Sequence, residues 1–193
     1  MTKMPRPTLR RKTRFHEILN LLVFMVAVYV LLEMAAPRSI VLSISMNPTL
    51  VENERLLISR VSYLFGQPQR GEIVVFEPPG HIRGEPPLIK RLIGLPGETV
   101  ELREQAVYIN GVMLEEAYLP ESCQAMRCPD REWTLGIDEF FMMGDNRNHS
   151  RDSREFGPIP RRQVVGRAIL RWWPPAVWGV LTYNSGEMGV SLP

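Results

Sequence analysis

The longest apolar run in the chain lies near its start. Residues 18–36 read ILNLLVFMVAVYVLLEMAA, and the polar exceptions, Asn20 and Glu33, lie near the two ends. As a helix this run would span about 28 Å, close to the ~30 Å hydrocarbon core of a bilayer. A cleaved secretory signal is the alternative, but its apolar core usually has only about 7–15 residues. The pattern therefore predicts a retained transmembrane helix over residues 18–36, ending before Pro37.

After Pro37 the pattern changes to short apolar or alternating runs that are separated by turn residues. Asn110 and Gly111 between two such runs are typical of a hairpin turn. Turn residues also cluster at 66–70, 78–87, 95–98 and 157–160. The predicted strands are Arg55–Arg60, Glu72–Phe76, Leu88–Ile93, Thr99–Leu102, Ala106–Ile109, Phe140–Met143 and Val164–Trp173. The chain is therefore predicted to form one mainly β, antiparallel domain over residues 37–193, behind one N-terminal transmembrane helix.

The charge of the chain is distributed unevenly. Lys and Arg total 23 and Asp and Glu total 21, but residues 1–14 hold six basic residues and no acidic one. Residues 37–193 carry 17 basic and 19 acidic residues, so nucleic acid is not an expected partner. Because basic flanks stay in the cytoplasm, we expect residues 1–17 to form a cytoplasmic leader. The domain 37–193 would then lie on the outer face of the plasma membrane, with the lipid bilayer as a partner.

Two cysteines lie in a polar loop. Cys123 and Cys128 stand in SCQAMRCPD, with four residues between them. Outside the cytoplasm such a pair is more often a disulfide than two free thiols. A zinc site would need further ligands, and the histidines of this domain, His81 and His149, lie in distant segments. We therefore expect a disulfide and no metal.

Three polar segments carry candidate chemistry. Residues 43–50 (SISMNPTL) begin just beyond the predicted membrane helix, although two serines also fit a plain linker. Lys90 shares a strand face with Leu88 and Leu92, and burial there would let it act as a base. Periodicity alone favours a different interpretation, an exposed Lys-Arg pair on an edge strand. Residues 144–154 (GDNRNHSRDSR) follow the apolar strand FFMM and also fit a solvated turn.

Taken in order, these segments resemble the motifs of the bacterial type I signal peptidases, also called leader peptidases. SISMNPTL (43–50) is similar to the nucleophile box of that family, and RGEIVVF (70–76) is similar to the next box. KRLIGLPGE (90–98) is similar to the lysine box, and GDNRNHSRDSREFG (144–157) to the final box. Four ordered boxes behind one anchor make the resemblance specific, and it covers residues 18–174. It implies a fold of two antiparallel β-sheet regions.

The resemblance implies a serine endopeptidase that uses a Ser–Lys pair and no cofactor. Ser45 would be the nucleophile, and Lys90, neutral when active, would be the general base. The Ser45 amide and the Ser43 hydroxyl would form the oxyanion hole. Ser150 would hydrogen-bond to the Lys90 amine and orient it. The remaining supporting residues would be the ion pair Asp152 and Arg154 and the structural residues Asp145 and Arg147.

The implied substrates are secretory preproteins whose signal peptides end in small residues at positions −3 and −1. Shallow apolar pockets would accept such side chains and exclude larger ones. Candidate lining residues flank the two catalytic residues, although several of them also suit packing in a β core. They are Val41, Leu42, Met46, Leu50, Leu88 and Ile89.

Other functions remain open at the level of sequence. A Ser-His-Asp protease needs a histidine near its serine, and His149 is the candidate, but the resembling family uses no catalytic histidine. A Ser–Lys peptidase specialised for one conjugation or pilus precursor is a second possibility. A catalytically silent anchored scaffold is a third, although both Ser45 and Lys90 are present. The late cluster of Trp172, Trp173 and Trp178 favours either a surface resting on the bilayer or core packing.

Overall fold

A long helix precedes the β domain. The computed structural model describes residues 9–181, so parts of the predicted leader and of the C-terminal segment (1–8 and 182–193) lie outside the described residues. Helix α1 runs Leu9–Ala35 and thus begins well before residue 18. The segment between Pro7 and Pro37 contains neither Pro nor Gly, which leaves the helix uninterrupted. By length and composition alone, its part Arg14–Ala35 can cross a membrane.

The rest of the described chain is built from strands, two short helices and 3-10 turns. The short helices are α2 (Ser62–Phe65) and α3 (Ser153–Phe156). All strand pairs are antiparallel, which confirms the predicted fold class. The strands are β1 (Arg38–Ile40), β2 (Arg55–Ser59), β3 (Ile73–Phe76), β4 (Leu88–Gly94), β5 (Thr99–Arg103), β6 (Ala106–Ile109), β7 (Val112–Met113), β8 (Arg131–Thr134), β9 (Glu139–Met143), β10 (Ile159–Pro160), β11 (Val164–Trp173) and β12 (Gly179–Val180).

The strands form two sheets. The larger has the order β1-β2-β11-β3-β4-β9-β10, with β12 added on β11, and the smaller has the order β7-β6-β5-β8. Strand β4 lies inside the larger sheet, between β3 and β9, so every side chain from Ile89 to Ile93 is buried. The β3–β4 register sets Val74 opposite Lys90. The interior position of β4 therefore carries Lys90 into the protein and not to an exposed edge.

Apolar side chains fill the space between the sheets and beneath the loops. One cluster includes Trp133 and Phe141, whose ring centroids are 4.7 Å apart. There the sheets approach so closely that a Cβ on Gly94 would lie 2.4 Å from Val100, which excludes any larger residue. A second cluster joins Val41, Met46, Leu50 and Ile89 under residues 43–50. This second cluster is the floor of the candidate site.

Most strand predictions are confirmed, with small shifts at their ends. The hairpin at Asn110 and Gly111 is confirmed too, with φ of 51° and 82° at these residues, as a tight turn of the primed type requires. The turn predicted at 157–160 is wrong in part, because β10 lies there and pairs with β9. A proline is tolerated in β10 because this strand is the edge of its sheet. Strand β8 was missed because only Trp133 among its residues is buried.

Candidate active site

Ser45 lies at the centre of a short turn that is held on both sides. The 3-10 turn Ile44–Met46 places Ser45 with only 6% of its surface exposed. Met46 and Leu50 anchor the turn in the core beneath it. From the opposite side Asn146 donates two hydrogen bonds, from its backbone N–H to the Ser45 carbonyl (3.0 Å) and from Nδ2 to the Ile44 carbonyl (3.2 Å). The Ser45 hydroxyl is thus placed by the core and by the loop after β9.

Lys90 reaches Ser45 from the middle of β4. Its Nζ lies 2.5 Å from Ser45 Oγ and 3.0 Å from the Ile89 carbonyl oxygen, and the residue is 2% exposed. The interpretation of Lys90 as part of an exposed pair on an edge strand is therefore wrong. Ser43 Oγ lies 3.1 Å from Ser45 Oγ on the exposed side. The structure thus brings Lys90 next to Ser43 and Ser45, which lie more than 40 positions earlier in the sequence.

Burial changes the proton affinity of Lys90. Loss of solvent around the amine lowers the pKa of Lys90 from 10.5 to about 8. The nearby carboxylates of Asp152 and Asp145 favour the ammonium form and oppose this shift. At pH 7 a lysine with a pKa of about 8 is neutral in about one molecule in ten, far more often than an ordinary lysine. A neutral amine at this position can accept the proton of Ser45.

The end of the final box forms a buried ion pair behind the site. Arg154 donates from Nε (2.8 Å) and Nη2 (2.8 Å) to the two carboxylate oxygens of Asp152. Burial alone would raise the pKa of Asp152, but the hydrogen bonds and charge of Arg154 hold that pKa below its usual value. The predicted hydrogen bond between Ser150 and Lys90 is not formed in the structure: Lys90 Nζ donates to Ser45 and to the Ile89 carbonyl, and Ser150 Oγ donates to Asp152 Oδ2 (2.6 Å). An ionised carboxylate accepts a stronger hydrogen bond than a neutral amine does, so the Ser150 hydroxyl donates to Asp152 and not to Lys90.

Gly144 lets the final loop approach Ser45. A Cβ at this position would lie 2.3 Å from Ser150 Oγ and 2.4 Å from the Ser45 carbonyl oxygen. The Gly144 N–H donates to Asp152 Oδ2 (2.9 Å). Any larger residue would therefore push Ser45 and Ser150 apart. In the sequence, the only signal for this role of Gly144 was its position as the first residue of the final box.

Asp145 and Arg147 each belong to a separate buried network. Asp145, with no exposed surface, accepts from Arg91 Nε (2.8 Å) and Nη2 (2.5 Å) and from Thr49 Oγ1 (2.6 Å). Arg147 pairs with Glu116, whose carboxylate also accepts from the Tyr118 hydroxyl. The first network ties β4 to the segment after Ser45, and the second ties the final loop to the segment after β7.

The partners in these networks, and Asn146, were not predicted from the sequence. Arg91 directly follows Lys90 in the lysine box, and Thr49 stands in the nucleophile box, but neither position indicates a role by itself. Glu116 and Tyr118 lie outside every box and carry no motif signal. The Arg91 guanidinium also lies 4.0 Å from the centroid of the Tyr118 ring, so the two networks are in contact.

A shallow apolar depression opens beside Ser45 and Lys90. Its volume is about 110 Å³, well below the roughly 300–1,000 Å³ of pockets for drug-sized ligands. The predicted residues Val41, Leu42, Met46, Leu88 and Ile89 line it. The prediction for Leu50 is wrong, because this side chain is fully buried in the core below the depression. Three further residues that were not predicted from the sequence also line it, namely Ile40, Pro86 and Pro87.

The disulfide loop packs against the buried ion pair. Cys123 and Cys128 form a disulfide. The Nη1 atom of Arg154 lies 3.2 Å from Cys128 Sγ and 3.6 Å from Cys123 Sγ, and it donates to the Arg127 carbonyl oxygen (3.2 Å). The loop therefore covers the side of Arg154 that faces away from Asp152.

The histidine and tryptophan alternatives have different outcomes. His149 is exposed, and neither it nor His81 is among the hydrogen-bond partners of Ser45 within residues 9–181. A Ser-His arrangement is therefore not formed. Trp173 and Trp178 are 45% and 67% exposed, so core packing is wrong for these two side chains. Their contact with a bilayer stays a prediction.

Comparison with known proteins identifies a family for this chain. The family model for signal peptidase, peptidase S26, matches residues 14–173. The signal peptidase I of Leptolyngbya laminosa is 44% identical over 138 residues, which are 67% of this chain and 65% of that protein. A probable signal peptidase I-2 of Synechocystis is 40% identical over 157 residues, covering 78% of this chain and 69% of its own length. A crystal structure of a signal peptidase I from Enterococcus faecalis is 38% identical and covers 53% of this chain and 97% of that one, with a TM-score of 0.44.

The first of these relatives is matched over slightly less than two thirds of its length, whereas the family model covers most of the present chain. From this match and these identities, we conclude that the chain belongs to the signal peptidase family, peptidase S26, a family of serine endopeptidases.

Proposed function

We propose that this protein is a membrane-anchored signal peptidase that removes N-terminal signal peptides from secretory preproteins, with Ser45 as the nucleophile and Lys90 as the general base. The observation that carries the proposal is the 2.5 Å distance between Lys90 Nζ and Ser45 Oγ, with both residues buried. A buried amine with a lowered pKa next to a hydroxyl is the arrangement that activates a serine without histidine.

The reaction would proceed in two steps. Neutral Lys90 takes the proton of Ser45 as Oγ attacks the scissile carbonyl carbon, and the resulting ammonium gives a proton to the leaving amine. The Ser45 N–H and the Ser43 hydroxyl would donate to the oxygen that becomes negative. The Lys90 amine, which is neutral again, then activates a water molecule. This water hydrolyses the acyl-enzyme and regenerates Ser45.

A signal peptide would bind as an added strand. Strand β9 pairs with β4 only from Arg91 onward, which leaves the backbone of residues 88–90 without a sheet partner on that side among the described residues. An extended peptide that pairs there would run along the apolar depression and reach Ser45 with its carbonyl carbon. Its alternate side chains, such as those at −1 and −3, would point towards the protein.

The small volume of the depression predicts the preference for the residues before the cleavage site. For a preprotein ending in Ala at −1 and −3, replacing the −1 Ala by Leu or Trp is expected to lower kcat/KM at least 100-fold, because the extra atoms have no space. The same replacement at −2 is expected to change kcat/KM little, since that side chain points away. The measurement is cleavage of purified preproteins in detergent, followed by gel electrophoresis.

Equal cleavage of the −1 Ala and −1 Trp preproteins would contradict the proposed substrate class. Cleavage of one preprotein alone, out of several with small residues at −1 and −3, would instead support a peptidase specialised for one precursor.

The pH dependence of kcat/KM tests the role of Lys90. Because the neutral amine is the active form and burial lowers the pKa of Lys90 to about 8, activity is expected to rise with pH and to level off above a midpoint near 8. His149→Gln is the matched control and is expected to leave this midpoint unchanged. A midpoint that disappears or moves in His149→Gln would contradict the lysine mechanism. Initial rates with a fluorogenic peptide would measure the profile.

Membrane anchoring is part of the proposal. Residues 1–17 would lie in the cytoplasm, residues 18–36 would span the plasma membrane, and residues 37–193 would form the peptidase domain outside. Support comes from the apolar part of α1, none of which is buried against the domain, and from the basic residues before it. Ser45 follows Ala36 by only a few residues, which would keep the site near the emerging signal peptide.

A further inference from the structure

Helix α2 presents two large apolar side chains to solvent. Leu64 is 75% exposed and Phe65 is 89% exposed, at the end of the four-residue helix Ser62–Phe65. Val61, just before the helix, is also exposed. Two adjacent apolar side chains with this exposure are costly in water, because neither removes its surface from solvent.

The inner side of α2 is firmly attached to the domain. The Tyr63 hydroxyl donates to Glu72 Oε2 (2.8 Å), and Arg161 donates from Nη2 to the Tyr63 carbonyl oxygen (2.8 Å). The backbone N–H and the hydroxyl of Ser62 both donate to Ser59 Oγ. Leu64 and Phe65 therefore project from a fixed platform and not from a loose loop.

The same segment contacts the end of α1. The Arg60 N–H donates to the Ala35 carbonyl oxygen (3.0 Å), and the Ile58 N–H donates to the Pro37 carbonyl oxygen (3.0 Å). Ala35 is the last residue of the helix that we propose to span the membrane. Leu64 lies only four positions after Arg60, so α2 starts within a few residues of the point where the chain would leave the bilayer.

From this placement we infer that α2 is a second membrane contact, in which Leu64 and Phe65 insert into the outer interface of the bilayer beside α1. The inference rests on the proposed anchoring by α1. In the outer interface, Leu64 and Phe65 would remove from water the apolar surface that the domain leaves exposed. Leucine and phenylalanine suit the boundary between headgroups and acyl chains. The exposed Arg60 next to it can reach anionic headgroups.

Two membrane contacts would restrict the orientation of the domain more than a single contact would. A domain held by a single helix can rotate about that helix, whereas a second contact at α2 fixes which side faces the bilayer. The depression beside Ser45 would then keep a constant orientation towards a signal peptide that leaves the same bilayer. Detergent micelles offer no such plane, so the effect of α2 on cleavage should depend on vesicles.

The direct test is the depth of a fluorescent label on the full chain. Phe65→Cys and, as a matched control, Ile137→Cys are each labelled with an environment-sensitive dye and reconstituted into vesicles of phosphatidylcholine and phosphatidylglycerol. Ile137 is 96% exposed and lies between β8 and β9, at the smaller sheet. The label at 65 is expected to shift to shorter wavelength and to be quenched by a nitroxide lipid labelled near the headgroup. The label at 137 is expected to stay in water.

Co-sedimentation of the full chain with the vesicles separates the two levels of the proposal. If the chain sediments with vesicles but the label at 65 behaves like the label at 137, the inference about α2 is overturned and the anchoring stands. If the chain does not sediment with vesicles, the anchoring is overturned, and the inference falls with it.

Cleavage provides the second test. The double variant Leu64→Ser with Phe65→Ser is expected to cleave a vesicle-inserted preprotein several-fold more slowly than the wild type, and a soluble peptide in detergent at the same rate. Met126→Ser with Ile137→Ser, which removes two apolar side chains that are 94% and 96% exposed, is expected to match the wild type in both assays. Equal rates for both double variants on vesicles would overturn the inference.

Discussion

Replacing Ser45 by alanine or Lys90 by methionine is expected to lower kcat for preprotein cleavage by about 10⁴-fold or more, the loss seen when a nucleophile or its base is removed. Ser45 Oγ and Lys90 Nζ lie 2.5 Å apart and act on the same proton. The double variant is therefore expected to be no less active than the worse single variant, because residues that work as one unit do not contribute additively.

The variant Lys90→Arg distinguishes two roles of Lys90, namely accepting a proton and supplying a positive charge. Arginine stays protonated in proteins, so it can supply a charge at this position but cannot accept the proton of Ser45. We expect this variant to be as inactive as Lys90→Met. Methionine has nearly the same length and no charge, so it fits the buried space of Lys90 without the cost of desolvating an ammonium group.

The unfolding midpoint of each variant shows whether activity is lost together with the fold. Lys90→Met is expected to unfold at or above the denaturant concentration of the wild type. Ser43→Ala is the graded comparison, since loss of one oxyanion donor costs about 10²–10³-fold in kcat. Substantial activity in Lys90→Met or Lys90→Arg would contradict the proposed base.

The sequence pattern predicted the helix and most strands because both depend on local periodicity. Strand β4 illustrates the limit. Its apolar alternation predicted a strand over 88–93, but periodicity could not tell an edge strand from an interior one, and it favoured an exposed Lys90. The position between β3 and β9 depends on pairings with residues far along the chain. The resemblance of four ordered motifs, and not periodicity, implied that Lys90 acts as a neutral base.

The fine structure of the site was less predictable than its two central residues. Ser150 was expected to bind Lys90, but its hydroxyl points to Asp152, and this choice depends on a few ångströms of loop geometry. Leu50 was predicted to line the pocket because it lies close to Ser45 in the sequence, yet it packs beneath the nucleophile box. The partners of Asp145 come from two other segments, which no local pattern connects.

Asp145→Asn is expected to lower the free energy of unfolding by about 3–5 kcal/mol, the usual cost of breaking a buried ion pair from one side. Asp145 has no exposed surface and neutralises Arg91, which is 8% exposed. Without the carboxylate, the Arg91 guanidinium stays buried without a counter-charge, and an NH2 donor replaces one of the two oxygens that accept from Arg91 and Thr49. Urea unfolding of the full chain in detergent, followed by tryptophan fluorescence, measures the change.

The control is an ion pair that water already screens. Arg151 and Glu155 lie 2.9 Å apart with side chains that are 77% and 59% exposed, so Glu155→Gln is expected to cost no more than about 0.5 kcal/mol. Arg91→Met combined with Asp145→Leu removes both buried charges and is expected to recover much of the stability lost in Asp145→Asn. Recovery would assign the loss to the uncompensated guanidinium.

The same variants separate stability from catalysis. Thr49 lies four residues after Ser45, and its bond to Asp145 joins the nucleophile segment to β4, which carries Lys90. Even where the double variant regains stability, its apolar pair cannot replace the bond to Thr49. We therefore expect its kcat to stay below that of the wild type while its unfolding midpoint recovers. Full recovery of both would contradict a role for Asp145 in holding Ser45 against Lys90, and would leave the ion pair with a role in folding alone.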